Sequence, residues 1–103
     1  MEVQLICVID DDESVRQTVG RILKSAGYAV VDAKDGEAGL RAVERSNPAM
    51  IITDIVMPNR EGIETIREAK RRFADIPIIA ISGGGRLGPD GLNSRSSSAP
   101  TIA

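Results

Sequence analysis

The chain has 103 residues, 13 basic and 15 acidic, with a formal net charge of −2; this fits one small domain and argues against a nucleic-acid surface held by bulk charge. It contains no histidine and one cysteine, Cys7, which excludes imidazole catalysis and an internal disulfide and disfavours zinc. No apolar run approaches the ~20 residues of a membrane-spanning helix, and no charged segment followed by a long apolar stretch opens the chain, so the expectation is a cytoplasmic protein without a signal peptide.

Leu5 to Ile9 is short and apolar throughout, like a strand buried on both faces, and Cys7 within it reads as an inert buried thiol. The run ends in Asp10-Asp11-Asp12. Asp12 or Ser14 then caps a helix whose apolar positions, Val15, Val19, Ile22, Leu23 and Ala26, recur at helical spacing. Gly27 supplies the stop. Tyr28 to Ala33 predicts a second strand, with Asp32 marking an edge. After the turn residues Asp35-Gly36, a helix is expected from about Glu37 to Arg45, ended by Asn47-Pro48. Met50 to Thr53 predicts a third buried strand, and Asp54 to Glu61 a loop. Gly62 to Phe73 predicts a helix with Ile63, Ile66, Ala69 and Phe73 inward. The basic cluster Lys70-Arg71-Arg72 lies at its C-terminal end, where the helix dipole favours cations. Ile78 to Ile81 predicts a fourth strand, ending at Ser82. Beyond it Gly, Ser and Pro dominate, and only Leu87, Leu92 and Ile102 are large and apolar. Residues 84–103 are therefore expected to form a tail with little to bury.

Strands alternating with helices imply an α/β protein with a parallel sheet and right-handed crossovers. If the first and third strands are neighbours, Asp10-Asp11-Asp12 and Asp54 open onto one crevice at the strands' carboxyl ends, where ligands of such sheets bind. Carboxylates gathered there repel one another by roughly 4 kcal/mol per pair at ~4 Å and an effective dielectric near 20. A divalent cation removes that cost, and magnesium needs only one or two carboxylates beside its waters; Asp10, Asp11 and Asp54 can supply the set. A carboxylate beside a metal can also attack phosphorus and form an acyl phosphate. Ser82 offers a hydroxyl to a phosphoryl oxygen, and Met57-Pro58 restrict the loop beside Asp54.

Three segments, Val8-Ile9-Asp10-Asp11-Asp12, Thr53-Asp54-Ile55-Val56-Met57-Pro58 with Gly62, and Ile78-Ile79-Ala80-Ile81-Ser82-Gly83, resemble the receiver domain of two-component response regulators, including the chemotaxis-regulator type. The resemblance implies a flavodoxin-like, doubly wound parallel sheet occupying residues 1–83, with 84–103 a remnant of helix 4 and strand 5 or a disordered tail. It implies that Asp54 accepts a phosphoryl group from a histidine kinase or histidine phosphotransfer protein. Asp10, Asp11, Asp54 and the Val56 backbone carbonyl would hold Mg²⁺ or Mn²⁺. Ser82 would be the switch hydroxyl, with Gly83 leaving room for it. The family carries a lysine at the end of a fifth strand, whereas this sequence has none after Lys70. The sequence thus reads as a receiver cut short or altered before its final strand and helix, with Thr101-Ile102-Ala103 a remnant of the fifth strand. An apolar edge left there invites pairing with a second copy, so a homodimer or higher oligomer is expected. Output would pass through a downstream protein, with no nucleic acid or membrane involved.

Two other readings compete. A phosphohydrolase of the haloacid-dehalogenase type also uses an aspartyl nucleophile with Mg²⁺; Asp10-Asp11-Asp12 satisfies its Asp-x-Asp pattern, but the segment from Asp54 to Pro58 is left unexplained. A degenerate receiver that binds proteins independently of phosphate would account for the missing lysine but not for the acidic cluster.

Overall fold

Apolar runs become strands and amphipathic runs become helices in the computed structural model, which describes residues 2–54, 61–81 and, through their backbone only, 101–102. The order is β1 (Leu5–Ile9), α1 (Glu13–Ser25), β2 (Ala29–Ala33), α2 (Gly36–Ser46), β3 (Met50–Asp54), α3 (Glu61–Arg72), β4 (Ile78–Ile81) and β5 (Thr101–Ile102). The strands form one sheet in the order β2-β1-β3-β4-β5. The first four are mutually parallel, with Cys7 opposite both Val31 and Ile51, and Ile51 opposite Ile78.

Strand side chains alternate between the two faces of this sheet. Cys7, Ile9, Ile51 and Ile78 pack with Val43 of α2 and Ala69 of α3 into the main core. Burial pushes the Cys7 thiol up to about 12, with the Asp32 carboxylate adding to the shift, so it stays protonated and unreactive. On the opposite face Ile6, Ile52 and Ile79 meet Leu23 of α1 and Tyr28 around a groove of about 400 Å³. Helices thus cover both faces, as in a doubly wound sheet.

Local chemistry sets the helix ends. The Asp12 side chain accepts hydrogen bonds from the Ser14 and Val15 amides at the start of α1, and Gly27 follows its end at φ +99°, a conformation that glycine adopts without a Cβ clash. Asp35 caps α2 by accepting from the Ala38 amide, and Asn47 ends that helix in the left-handed region. In α3 the guanidinium of Arg72 lies 5.0 Å from the centre of the Phe73 ring.

Three expectations change. Ile63 is not inward but 51 % exposed; Gly62, Thr65 and Ala69 are the buried positions of α3. Ala69 is buried and Ile66 and Phe73 pack against the core, as expected, so within that stripe Ile63 alone turns outward. Ile22 is likewise 62 % exposed, leaving Val15, Val19 and Leu23 as the half-buried stripe of α1. Finally, β5 runs antiparallel to β4, with Ile102 opposite Ile78 and Thr101 opposite Ile79. The resemblance to a doubly wound parallel sheet implied a parallel fifth strand, but an antiparallel edge strand requires no crossover helix.

Gly39 lets α2 approach β1. A Cβ built on it would collide with Ile9, lying closest to Cδ1 and 2.7 Å from Cγ1. Gly39→Ala is expected to lower stability by about 1–3 kcal/mol in urea unfolding. Adding Ile9→Val, which shortens the obstructing side chain, should make the double variant less unstable than the sum of the two single changes.

Candidate functional site

Parallel pairing of β1 with β3 sets Ile9 opposite Thr53, so the next residue of each strand, Asp10 and Asp54, emerges at the same carboxyl end. Both are buried, at 1 % and 0 % exposure, while Asp11 is exposed. One carboxylate oxygen from each of Asp10, Asp11 and Asp54 lies within 4.8 Å of the others. The three consecutive aspartates therefore divide their work: Asp10 points into the crevice, Asp11 joins it from the solvent side, and Asp12 caps α1.

Asp10 is held at three atoms. Its amide donates to the Ala33 carbonyl at 3.1 Å, extending the contact with β2 past the end of β1. Its carboxylate Oδ1 accepts from the Asp12 amide at 2.9 Å. Its own carbonyl accepts from Arg16 Nη1 at 3.0 Å. The second carboxylate oxygen, Oδ2, is buried with no hydrogen-bond partner, an arrangement that native interiors rarely leave uncompensated. Burial raises the Asp10 pKa above the ordinary carboxylate value; the Asp12 amide opposes the shift, and the charges of Asp54, Asp11 and Asp12 add to it. A buried bare oxygen and two further carboxylates within reach, one of them exposed to water, fit a hard divalent cation that keeps part of its hydration shell.

Of the expected site residues, the structure brings Asp10, Asp11 and Asp54 together. Val56, Met57, Pro58, Ser82 and Gly83 lie outside the described residues, as does the stretch 84–100. Arg16, which grips Asp10 from α1, belongs to no motif. Its only sequence signal is its place at the start of a helix, six residues after an acidic strand end, with Asp32 available on an edge strand.

Residues 6–88 match the response regulator receiver domain family, and the chain belongs to it. The sequence is 38 % identical over 81 residues to the CAI-1 autoinducer sensor kinase/phosphatase CqsS of Vibrio cholerae, a match covering 76 % of this chain and 12 % of that protein. It is 35 % identical over 77 residues to the response regulator MprA of Mycobacterium leprae, covering 75 % of this chain and 34 % of the relative. The chain thus spans about a third or less of the length of these relatives. Among solved structures, the response regulator TrrA of Thermotoga maritima in complex with Mg²⁺-BeF superposes with a TM-score of 0.74 at 27 % identity, covering 93 % of this chain and 83 % of that one. TrrA has also been solved with the histidine kinase ThkA, with a TM-score of 0.72 at 27 % identity, covering 87 % of this chain and 79 % of that one.

Family membership makes this a receiver module of two-component signalling, and its acidic cluster is consistent with a phosphoacceptor site and with magnesium binding. The dehalogenase reading falls with that assignment, and its Asp-x-Asp pattern dissolves in the structure, because Asp12 is used as a helix cap. Among the described residues no helix is long and apolar enough to cross a membrane.

The raised pKa of Asp10 has a definite consequence without metal. The folded protein holds this proton more tightly than the unfolded chain, so ionisation destabilises the fold. That loss begins as pH rises past the ordinary carboxylate value and is complete above the raised folded one. Asp10→Asn should therefore be more stable than the wild type at neutral pH in EDTA. The gap in urea midpoint should close as pH falls below the ordinary carboxylate range, while added Mg²⁺ should stabilise only the wild type.

Proposed function

We propose that the chain is a phosphorylation switch in which Asp54 takes a phosphoryl group from the phosphohistidine of a cytoplasmic histidine kinase or histidine phosphotransfer protein. An oxygen of Asp54 forms the new bond to phosphorus as the bond from phosphorus to the imidazole nitrogen breaks, and the imidazole leaves. The observation that carries this reading is the convergence of Asp10, Asp11 and Asp54 at adjacent strand ends. Those three carboxylates, with the Val56 carbonyl, would hold Mg²⁺ or Mn²⁺. When bound, the cation neutralises charge on the transferring group.

The chain's own residues do the rest. β3 holds Asp54 fully buried at its carboxyl end, limiting the directions from which a phosphorus atom can approach. Asp10 and Asp11 keep the surrounding field negative, which disfavours phosphate until the cation offsets it. Ser82 would donate its hydroxyl to a phosphoryl oxygen, with Gly83 leaving space and Met57-Pro58 restraining the loop. The relative TrrA supports both halves of the proposal, since it has been solved with Mg²⁺-BeF and with a histidine kinase.

Incubation with Mg²⁺ and acetyl phosphate should give one hydroxylamine-labile phosphoryl group per chain, and Asp54→Asn should take up none. Val56 and Gly84, which the resemblance would put beside the phosphoryl group, have no polar side chain with which to position an attacking water, so the label should persist for minutes rather than seconds. Failure of the wild type to bind beryllofluoride with Mg²⁺ would instead support a receiver that works independently of phosphate.

A further inference from the structure

We propose that Arg16 is a positioning residue for the cation site: by bridging the Asp10 carbonyl to Asp32, it fixes the peptide plane from which the Asp10 and Asp11 carboxylates project. The inference rests on reading the acidic cluster as a cation site.

The geometry is a two-sided clamp. Arg16 sits in the first turns of α1, its amide bonded to the Asp12 carbonyl at 3.0 Å, and its side chain is 16 % exposed. Nη1 donates to the Asp10 carbonyl at 3.0 Å and Nε to Asp32 Oδ2 at 3.2 Å. Asp10 follows the last residue of β1, and its amide already uses the Ala33 carbonyl of β2. Arg16 supplies the companion contact, tying the Asp10 carbonyl to Asp32 on the same edge strand. The carbonyl of Asp10 and the amide of Asp11 share one planar peptide unit. Fixing the carbonyl therefore sets the direction in which the chain leaves the strand, and with it the placement of buried Asp10 and exposed Asp11 relative to Asp54. Guanidinium suits this task because its rigid fork bonds two acceptors in different directions, which an ammonium group does not reproduce.

Stability alone is a poor account of the arrangement, because Asp32 is half-exposed and such ion pairs contribute little. Simple charge is a worse one. A guanidinium touching Asp10 repels a cation bound beside it, so removing Arg16 should tighten cation binding if Coulomb repulsion were its only effect. Positioning predicts the opposite sign.

The test is a Mn²⁺ titration of the full chain, followed by electron paramagnetic resonance, for the wild type, Arg16→Met and Arg16→Lys. Each protein is also melted in EDTA, and its backbone amide spectrum is recorded. Arg16→Met is expected to weaken Mn²⁺ binding about tenfold, the low end of what loss of an outer support does to a metal site. Its amide shifts should change over Asp10 to Asp12, while its metal-free melting temperature stays within a few degrees of the wild type. Arg16→Lys keeps the charge and should weaken binding to an intermediate degree; it carries the test if the Met variant does not fold. Unchanged or tighter binding in a folded variant would overturn the proposal. A wild type that binds no Mn²⁺ would overturn it too, and would show that the cation reading itself had failed.

Discussion

Two buried carboxylates at the ends of adjacent parallel strands, with a third reaching in from the surface, cannot all be ionised without mutual repulsion. The rest of the structure serves to hold that arrangement in place. The β1–β3 register sets Asp10 beside Asp54, the apolar strands below keep water from their backbone, and α2 lies close because Gly39 leaves Ile9 room. The resulting repulsion would be relieved by whatever brings positive charge to the crevice, and the proposed cation would thereby couple folding stability to phosphoryl chemistry through one set of oxygens.

That coupling makes sense of the division among Asp10, Asp11 and Asp12. A single strand end must deliver a buried carboxylate, an exposed carboxylate and a helix start within three residues. Asp12 does the last by bonding the Ser14 and Val15 amides, and its own amide in turn holds one oxygen of Asp10. Asp10 Oδ2 remains buried and bare. The site is thus preorganised by backbone contacts and by Arg16, so that cation binding needs little further ordering of the chain.

Much of this was legible in the sequence, for identifiable reasons. Ile78 to Ile81 is a short uniform apolar run between a proline and a polar residue, and its strand has the expected bounds. Asp32 breaks the apolar pattern of its strand, and that strand is an edge. The caps at Asp12 and Asn47 are written in residue type. Ile22 and Ile63 misled because a helix carrying adjacent apolar positions does not say which of them will face the sheet; packing decides that. Arg16 was illegible for a related reason. One arginine on a helix reads as a solvated charge until the fold brings it to Asp32, sixteen positions away in the chain. The antiparallel direction of β5 was equally hidden, since alternation of elements says nothing of a final two-residue strand.

The most direct measurement is an anomalous difference map from crystals of the full chain soaked in Mn²⁺. The account predicts one strong peak per chain, coordinated at about 2.1 Å by carboxylate oxygens from this acidic trio. A map with no peak there, or with the ion bound elsewhere on the molecule, would contradict it.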